Sequence, residues 1–161
     1  MSATYEPIAT TTLGSAQASV TFSSITGTYT DLILVVNGTI TSGGENFLIQ
    51  FNGDTAANYS DTRLGGNGSA AFSTRTSSQT SMVAANIYSG QGTIIFQIQN
   101  YSNTTTYKTL LSRVSYASNV VSSHVGLWRK TPEAITSIYM ILSGQNFSSG
   151  TSFTLYGIKA E

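Results

Sequence analysis

The sequence predicts a single all-β domain, an antiparallel β-sandwich of the jelly-roll kind with about eight to ten strands. Three observations carry that expectation. Short stretches alternate apolar and polar residues with a period of two, and none shows a convincing 3.6-residue period. Residues that favour turns bound these stretches at the intervals usual in sandwiches. The length of 161 residues suits one domain with a sizeable core.

The elements follow in chain order. Pro7 biases Glu6 towards an extended conformation. Residues 1–12 therefore read as an extended N-terminal arm, with Tyr5, Glu6, Pro7 and Ile8 as its attachment residues, and residues 13–161 as the sandwich. Ala18, Val20 and Phe22 alternate with Ser19, Thr21 and Ser23. The run from Asp31 to Ile40 opens doubly apolar, as a strand buried on both faces would. Phe47, Ile49 and Phe51 alternate with Leu48 and Gln50, then stop at the turn signal Asn52-Gly53-Asp54.

The stretch 54–81 is rich in Gly, Ser, Thr and Asn. It reads as a long excursion with one short strand around Tyr59 to Leu64, and loops of that length are usually functional or mobile. Strands resume at Met82 to Tyr88, Thr93 to Gln99, Tyr107 to Ala117, and Val121 to Arg129. In the last of these, Val121, Val125 and Leu127 share a face. Thr131-Pro132-Glu133 reads as a one-turn helical start. Ile135 to Leu142 and Phe153 to Ile158 complete the chain as strands.

Composition limits the partners. Only 9% of residues are charged, against about 25% in ordinary soluble chains. Hydroxyl side chains replace them, with Ser and Thr supplying 48 positions. Seven basic and seven acidic residues cancel. No basic patch exists to neutralise phosphates, which argues against nucleic-acid binding. Zero net charge removes colloidal repulsion and favours association. No apolar run approaches the roughly 20 residues of a membrane helix. Cysteine is absent, and the opening residues lack the pattern of a signal peptide.

Catalytic chemistry finds little support. The single histidine, His124, has no G-x-S-x-G elbow or triad context, so it reads as a strand residue capping a polar contact. One histidine without cysteine does not make a zinc set. Asp54 and Asp61 do not follow the calcium-loop spacing. No carboxylate pair is marked for glycoside hydrolysis. The sequence thus points to no catalytic residue, no metal and no cofactor. A carbohydrate site would combine an aromatic platform with polar partners, and Tyr59, Asp61 and Trp128 are the candidate glycan contacts.

Four segments form a recognisable set: Tyr5-Glu6-Pro7-Ile8-Ala9-Thr10, Tyr29-Thr30-Asp31-Leu32-Ile33-Leu34, Phe51-Asn52-Gly53-Asp54 and Phe153-Thr154-Leu155-Tyr156-Gly157-Ile158. Together they resemble small virion proteins of tailed bacteriophages, notably phages of cyanobacteria and other aquatic bacteria. The resemblance implies a β-sandwich that assembles with itself, often as a trimer, on a capsid or tail. It implies a non-enzymatic capsid decoration or cement protein, made in the host cytoplasm and located in the virion. Its partners would be the major capsid protein or tail proteins. The alternative is a tail-fibre or receptor-binding module contacting host surface glycan.

Overall fold

The computed structural model describes residues 4–116 and 120–159. Residues 1–3 of the expected arm and Ala117 of an expected strand lie outside the described residues. Among the described residues twelve strands form, more than the eight to ten expected: β1 (Tyr5–Thr12), β2 (Ser19–Phe22), β3 (Asp31–Gly38), β4 (Gly44–Phe51), β5 (Tyr59–Gly66), β6 (Ala71–Gln79), β7 (Met82–Tyr88), β8 (Gly92–Gln99), β9 (Lys108–Tyr116), β10 (Val121–Trp128), β11 (Ile138–Leu142) and β12 (Ser152–Ile158). They build an eight-stranded sheet in the order β1-β12-β3-β8-β9-β10-β5-β6 and a four-stranded sheet in the order β2-β11-β4-β7. Every pairing between these strands is antiparallel. From β1 to β5 the chain alternates between the two sheets, the wrapping that makes a sandwich jelly-roll-like.

The core fills the space between the sheets. β8 and β12 show why the alternation matters. Ile94, Phe96 and Ile98 of β8, with Phe153 and Leu155 of β12, are all fully buried, while their neighbours along each strand face outward. Phe47 of the small sheet meets Phe96 of the large sheet at 5.1 Å between ring centroids and Phe147 at 5.3 Å. Such tilted ring contacts add to simple area burial.

The Asn52-Gly53 turn forms as the sequence predicts. Both residues have positive φ, 52° and 65°, and the Asp54 amide donates to the Phe51 carbonyl at 2.9 Å. This is the backbone of a type I′ turn, which asks for Asn-Gly. It closes no hairpin, however. The chain leaves β4 in the small sheet and enters β5 in the large one.

Three expectations are corrected. Residues 5–12 are extended, but they are not a separate arm. They pair along β12 from Tyr5↔Ile158 to Thr12↔Ser152, with a bulge between Pro7 and Ala9. The bulge turns both Ile8 and Ala9 onto the core. Pro7 and the bulge blunt an outer edge that would otherwise accept another strand. Glu6 accepts hydrogen bonds from Lys159 at 2.9 Å and from the Tyr29 hydroxyl at 3.2 Å. Deleting residues 1–12 is expected to lower the unfolding free energy by about 3 kcal/mol, since it removes an edge ladder and a half-buried isoleucine. Urea unfolding measures this, and an unchanged midpoint would mean that β1 contributes nothing to the fold.

The second correction concerns 54–81: the strand expected around Tyr59 to Leu64 forms as β5, but a second strand, β6, follows it where loop was expected. β5 and β6 form a hairpin that extends the large sheet. β6, with sequence AFSTRTSSQ, lacks an apolar period because it is an edge strand largely open to solvent. The third concerns Thr131-Pro132-Glu133, which starts no helix. Asn52 instead staples this connector. Its Nδ2 donates to Glu133 Oε1 and to the Ala134 carbonyl, both at 2.8 Å, and its Oδ1 accepts from the Thr136 amide at 2.8 Å.

Candidate functional site

Tyr59 and Trp128 form no glycan platform, because both lie in the interior. They occupy neighbouring ends of β5 and β10, paired in register, and are 0% and 2% exposed. Their rings stack with an interplanar angle of 13°. Phe51 meets the Trp128 ring edge-on at 5.6 Å. Asp54 closes this cluster. Its Oδ2 accepts from Trp128 Nε1 at 2.6 Å and from Asn58 Nδ2 at 2.9 Å, and its Oδ1 accepts from the Ala56 amide at 2.9 Å. The Tyr59 hydroxyl accepts from the Phe51 amide at 2.9 Å and donates to the Asp54 carbonyl at 3.1 Å. Burial works to raise the Asp54 pKa, but the hydrogen bonds from Trp128, Asn58 and Ala56 outweigh it and hold the carboxyl below its ordinary range. Every polar group here is absorbed by its neighbours. The cluster locks the β4–β5 connection.

Asp61, the third glycan candidate, lies elsewhere. The large sheet is wider than the small one, so β5 and β6 overhang the outer edge of β7. Inward-facing residues of this overhang and the rim of β7 enclose a cleft of about 150 Å³ lined by Asn46, Asp61, Arg63, Thr74, Thr76 and Val83. Asp61 Oδ2 accepts from Thr76 Oγ1 at 2.5 Å and from the Val83 amide at 3.3 Å, so it satisfies an edge donor of β7. Arg63 Nη1 donates to Asn86 Oδ1 at 2.7 Å, and Asn86 Nδ2 donates to Asn46 Oδ1 at 2.9 Å. The guanidinium rests over Phe72, 5.3 Å from the ring centroid. Phe72 reaches that position because residue 65 is glycine; a Cβ there would fall 2.4 Å from the Phe72 ring.

His124 borders this region from within the core. It is 0% exposed. Its Nδ1 lies 3.1 Å from the Val83 carbonyl and its Nε2 lies 3.3 Å from Ser122 Oγ. Nδ1–H donating to the carbonyl leaves Nε2 to accept from the serine, which fixes the neutral tautomer. Burial lowers its pKa to about 4, against the smaller upward pull of the Val83 carbonyl. The sequence reading of His124 as a strand residue capping a polar contact matches this geometry.

The outward face of the large sheet is the other notable surface. On β10 the three apolar residues share a face, as the sequence predicts, and that face is the outward one. Ser122, His124, Gly126 and Trp128 point into the core, while Val121, Val125 and Leu127 point away from it. Val125 is 50% exposed and Val121 62%. Val125 pairs with Leu111 of β9, which also faces outward. Leu64 of β5 is exposed beside them, and Ile95 and Val35 continue the apolar character across β8 and β3. Depressions of about 260 Å³ and 200 Å³ groove this face, the first lined in part by Leu111 and Val125, the second by Ile95 and Arg113.

Sequence reasoning found Asp61 without its cleft partners Arg63, Asn86 and Thr74. An i, i+2 pair of opposite charges on β5, facing alternating polar residues of β6, was the available signal. Tyr5, Glu6, Pro7 and Ile8 stand at the opposite edge of the large sheet from the cleft. Among the described residues no group of His, Cys, Asp and Glu is arranged to hold a metal ion, and no helix is long and apolar enough to cross a membrane.

The fold is an antiparallel two-sheet β-sandwich. No protein-family model matches the sequence, and no curated protein matches it. Among solved structures, the galectin LEC-6 of Caenorhabditis elegans, also a β-sandwich, is similar at 10% identity. The match covers 91% of this chain and 94% of the galectin, with a TM-score of 0.41. Scytalido-glutamic peptidase, solved with a transition state analog inhibitor, is similar at 13% identity over 87% of this chain and 75% of the peptidase, with a TM-score of 0.33.

Proposed function

We propose that this chain is a non-enzymatic structural protein of a phage particle, a decoration or cement protein that attaches to the assembled shell and stabilises it. The observation that carries the reading is β10, which turns Val121, Val125 and Leu127 outward beside Leu111 and Leu64. A sheet face that exposes several large apolar side chains on a chain with so little charge is a surface for other subunits. The sequence resemblance to small virion proteins supports the same reading. Self-association as a trimer, followed by seating on the major capsid protein, would cover this face. The blunted β1 edge makes strand addition through Tyr5 to Ile8 a poorer mode of attachment than face-to-face docking.

The double substitution Val125→Lys with Leu111→Lys tests this. It is expected to lower the monomer's stability by about 1 kcal/mol, because the two lysines stand directly opposite on neighbouring strands, and to leave it folded. Oligomer formation in light scattering and incorporation into particles should each fall at least tenfold. Hundreds of copies per particle would agree with decoration, whereas a few to some tens would put the protein in the tail. A wild-type chain that is monomeric at micromolar concentration would contradict self-assembly. A second reading, a receptor-binding module, is favoured by the polar cleft over β5 and β6.

A further inference from the structure

We infer that the cleft between the β5–β6 overhang and the β7 rim is a binding site for a neutral saccharide, with Asp61 and Arg63 as its paired acceptor and donor. This inference deepens the receptor-binding reading and rests on it, not on docking through the apolar face. The cleft uses the inward side of the large sheet and the apolar docking face uses the outward side.

The argument begins with what the cleft's polar groups leave unused. Their structural duty is to cover the edge of β7. Asp61 Oδ2 and Arg63 Nη1 perform it through Val83, Thr76 and Asn86. Among the described residues, Asp61 Oδ1 accepts no hydrogen bond and Asn46 Nδ2 donates none. Arg63 Nε is buried and has no hydrogen-bond partner among the described residues. A buried N–H of a charged group without an acceptor is costly and uncommon, and a ligand oxygen reaches it once the guanidinium turns towards the cleft. Asp61 and Arg63 stand two residues apart on one face of β5, yet they form no ion pair among the described residues. Both charges therefore remain available to a ligand.

The chemistry selects the ligand class. The two charges cancel, so the cleft offers donors and acceptors without a net field. An anion would meet the Asp61 carboxylate, and a cation would meet the Arg63 guanidinium. A hydroxyl can donate to one and accept from the other at once. A ring of adjacent hydroxyls suits alternating Asp61, Arg63, Asn46 and Thr74. The C–H side of a sugar ring suits Val83, which lines the same space. The volume of about 150 Å³ accepts a terminal sugar residue. It lies below the roughly 300 Å³ where sites for larger organic ligands begin. With few contacts, affinity per site would be weak, and copies arrayed on a particle would raise it by avidity.

The test uses the full-length purified protein on an array of neutral, sialylated and sulfated glycans. Wild type is expected to bind neutral glycans. Asp61→Asn keeps an acceptor oxygen for Thr76 and Val83 but removes the charge, and Arg63→Met removes the donor fork. Each should weaken binding at least tenfold. Thr74 is exposed on an edge strand, so Thr74→Trp should fold normally and block the cleft. A thermal melt of each variant confirms folding, and Thr74→Trp decides the matter if either β5 variant is unfolded. Binding of acidic glycans alone, no glycan binding, or binding unchanged in Thr74→Trp would each overturn the inference.

Discussion

Trp128→Ala is expected to lower the unfolding free energy by about 3–5 kcal/mol, the range for removing a large aromatic from a core. The reason lies in what the indole joins. Its ring stacks on Tyr59 and takes the edge of Phe51, so it spans β10, β5 and β4 across the two sheets. Its Nε1 supplies one of three hydrogen bonds that hold Asp54 at the turn after β4. Truncation leaves both a cavity and a buried carboxylate short of a donor. Trp128→Phe separates the two effects. It keeps most of the ring and loses the donor, and should reduce stability by about 1–3 kcal/mol. Urea titration of the two variants measures both losses, read with the slope unchanged so that the midpoint reports stability. A loss below about 1 kcal/mol for Trp128→Ala would mean that the cluster does not lock the β4–β5 connection. Neither variant should alter glycan binding in the β5–β6 cleft while folded, because Trp128 lies outside it.

Much of this architecture is legible in the sequence wherever one face of a strand is buried. In β8 and β12 the alternation of Ile94, Phe96 and Ile98, or Phe153 and Leu155, states the burial directly. Asn52-Gly53 announces its turn because few other residues tolerate positive φ at both positions. Reading fails where the fold uses a different compensation. β6 has no buried face to leave a period, so AFSTRTSSQ looks like a loop. β10 misleads more deeply. Its polar side is the buried one, because His124 and Ser122 satisfy each other and the β7 carbonyl, and Gly126 lets Met82 come close. Apolarity then marks the outward face rather than the core. The candidate cleft was only half visible for a related reason. Asp61 stands out as a rare charge, whereas the Arg63–Asn86 link depends on β7 lying beneath a hairpin that the composition of 54–81 conceals.

Acidification from pH 7 to pH 4 is expected to reduce stability by about 3 kcal/mol through His124 alone. The unfolded histidine titrates near 6.5, and the folded one near 4. Between those values the unfolded chain binds the proton and the folded chain does not, so protons favour unfolding. The stability that His124 contributes is complete above about pH 6.5 and lost progressively as pH falls through 4. The groups facing the ring explain the depression. Burial dominates, the Val83 carbonyl opposes it, the Arg63 guanidinium reinforces it and the Asp61 carboxylate opposes it. Asp54 also titrates below its ordinary range, but its loss falls below about pH 4, outside this window. Urea midpoints at pH 7, 5.5 and 4.5 for wild type and His124→Gln separate the two groups. The glutamine amide can still donate to the Val83 carbonyl, so the variant should start lower at pH 7 yet lose little between pH 6.5 and 4.5. A wild-type curve flat across that interval, or a variant curve parallel to it, would show that His124 is not the group that couples protons to this fold. The same coupling reaches the cleft, because Val83 accepts from His124 through its carbonyl and donates to Asp61 through its amide. Protonating His124 at Nε2 keeps the bond to Val83 but places a buried charge one residue's backbone away from the carboxylate that would hold the ligand.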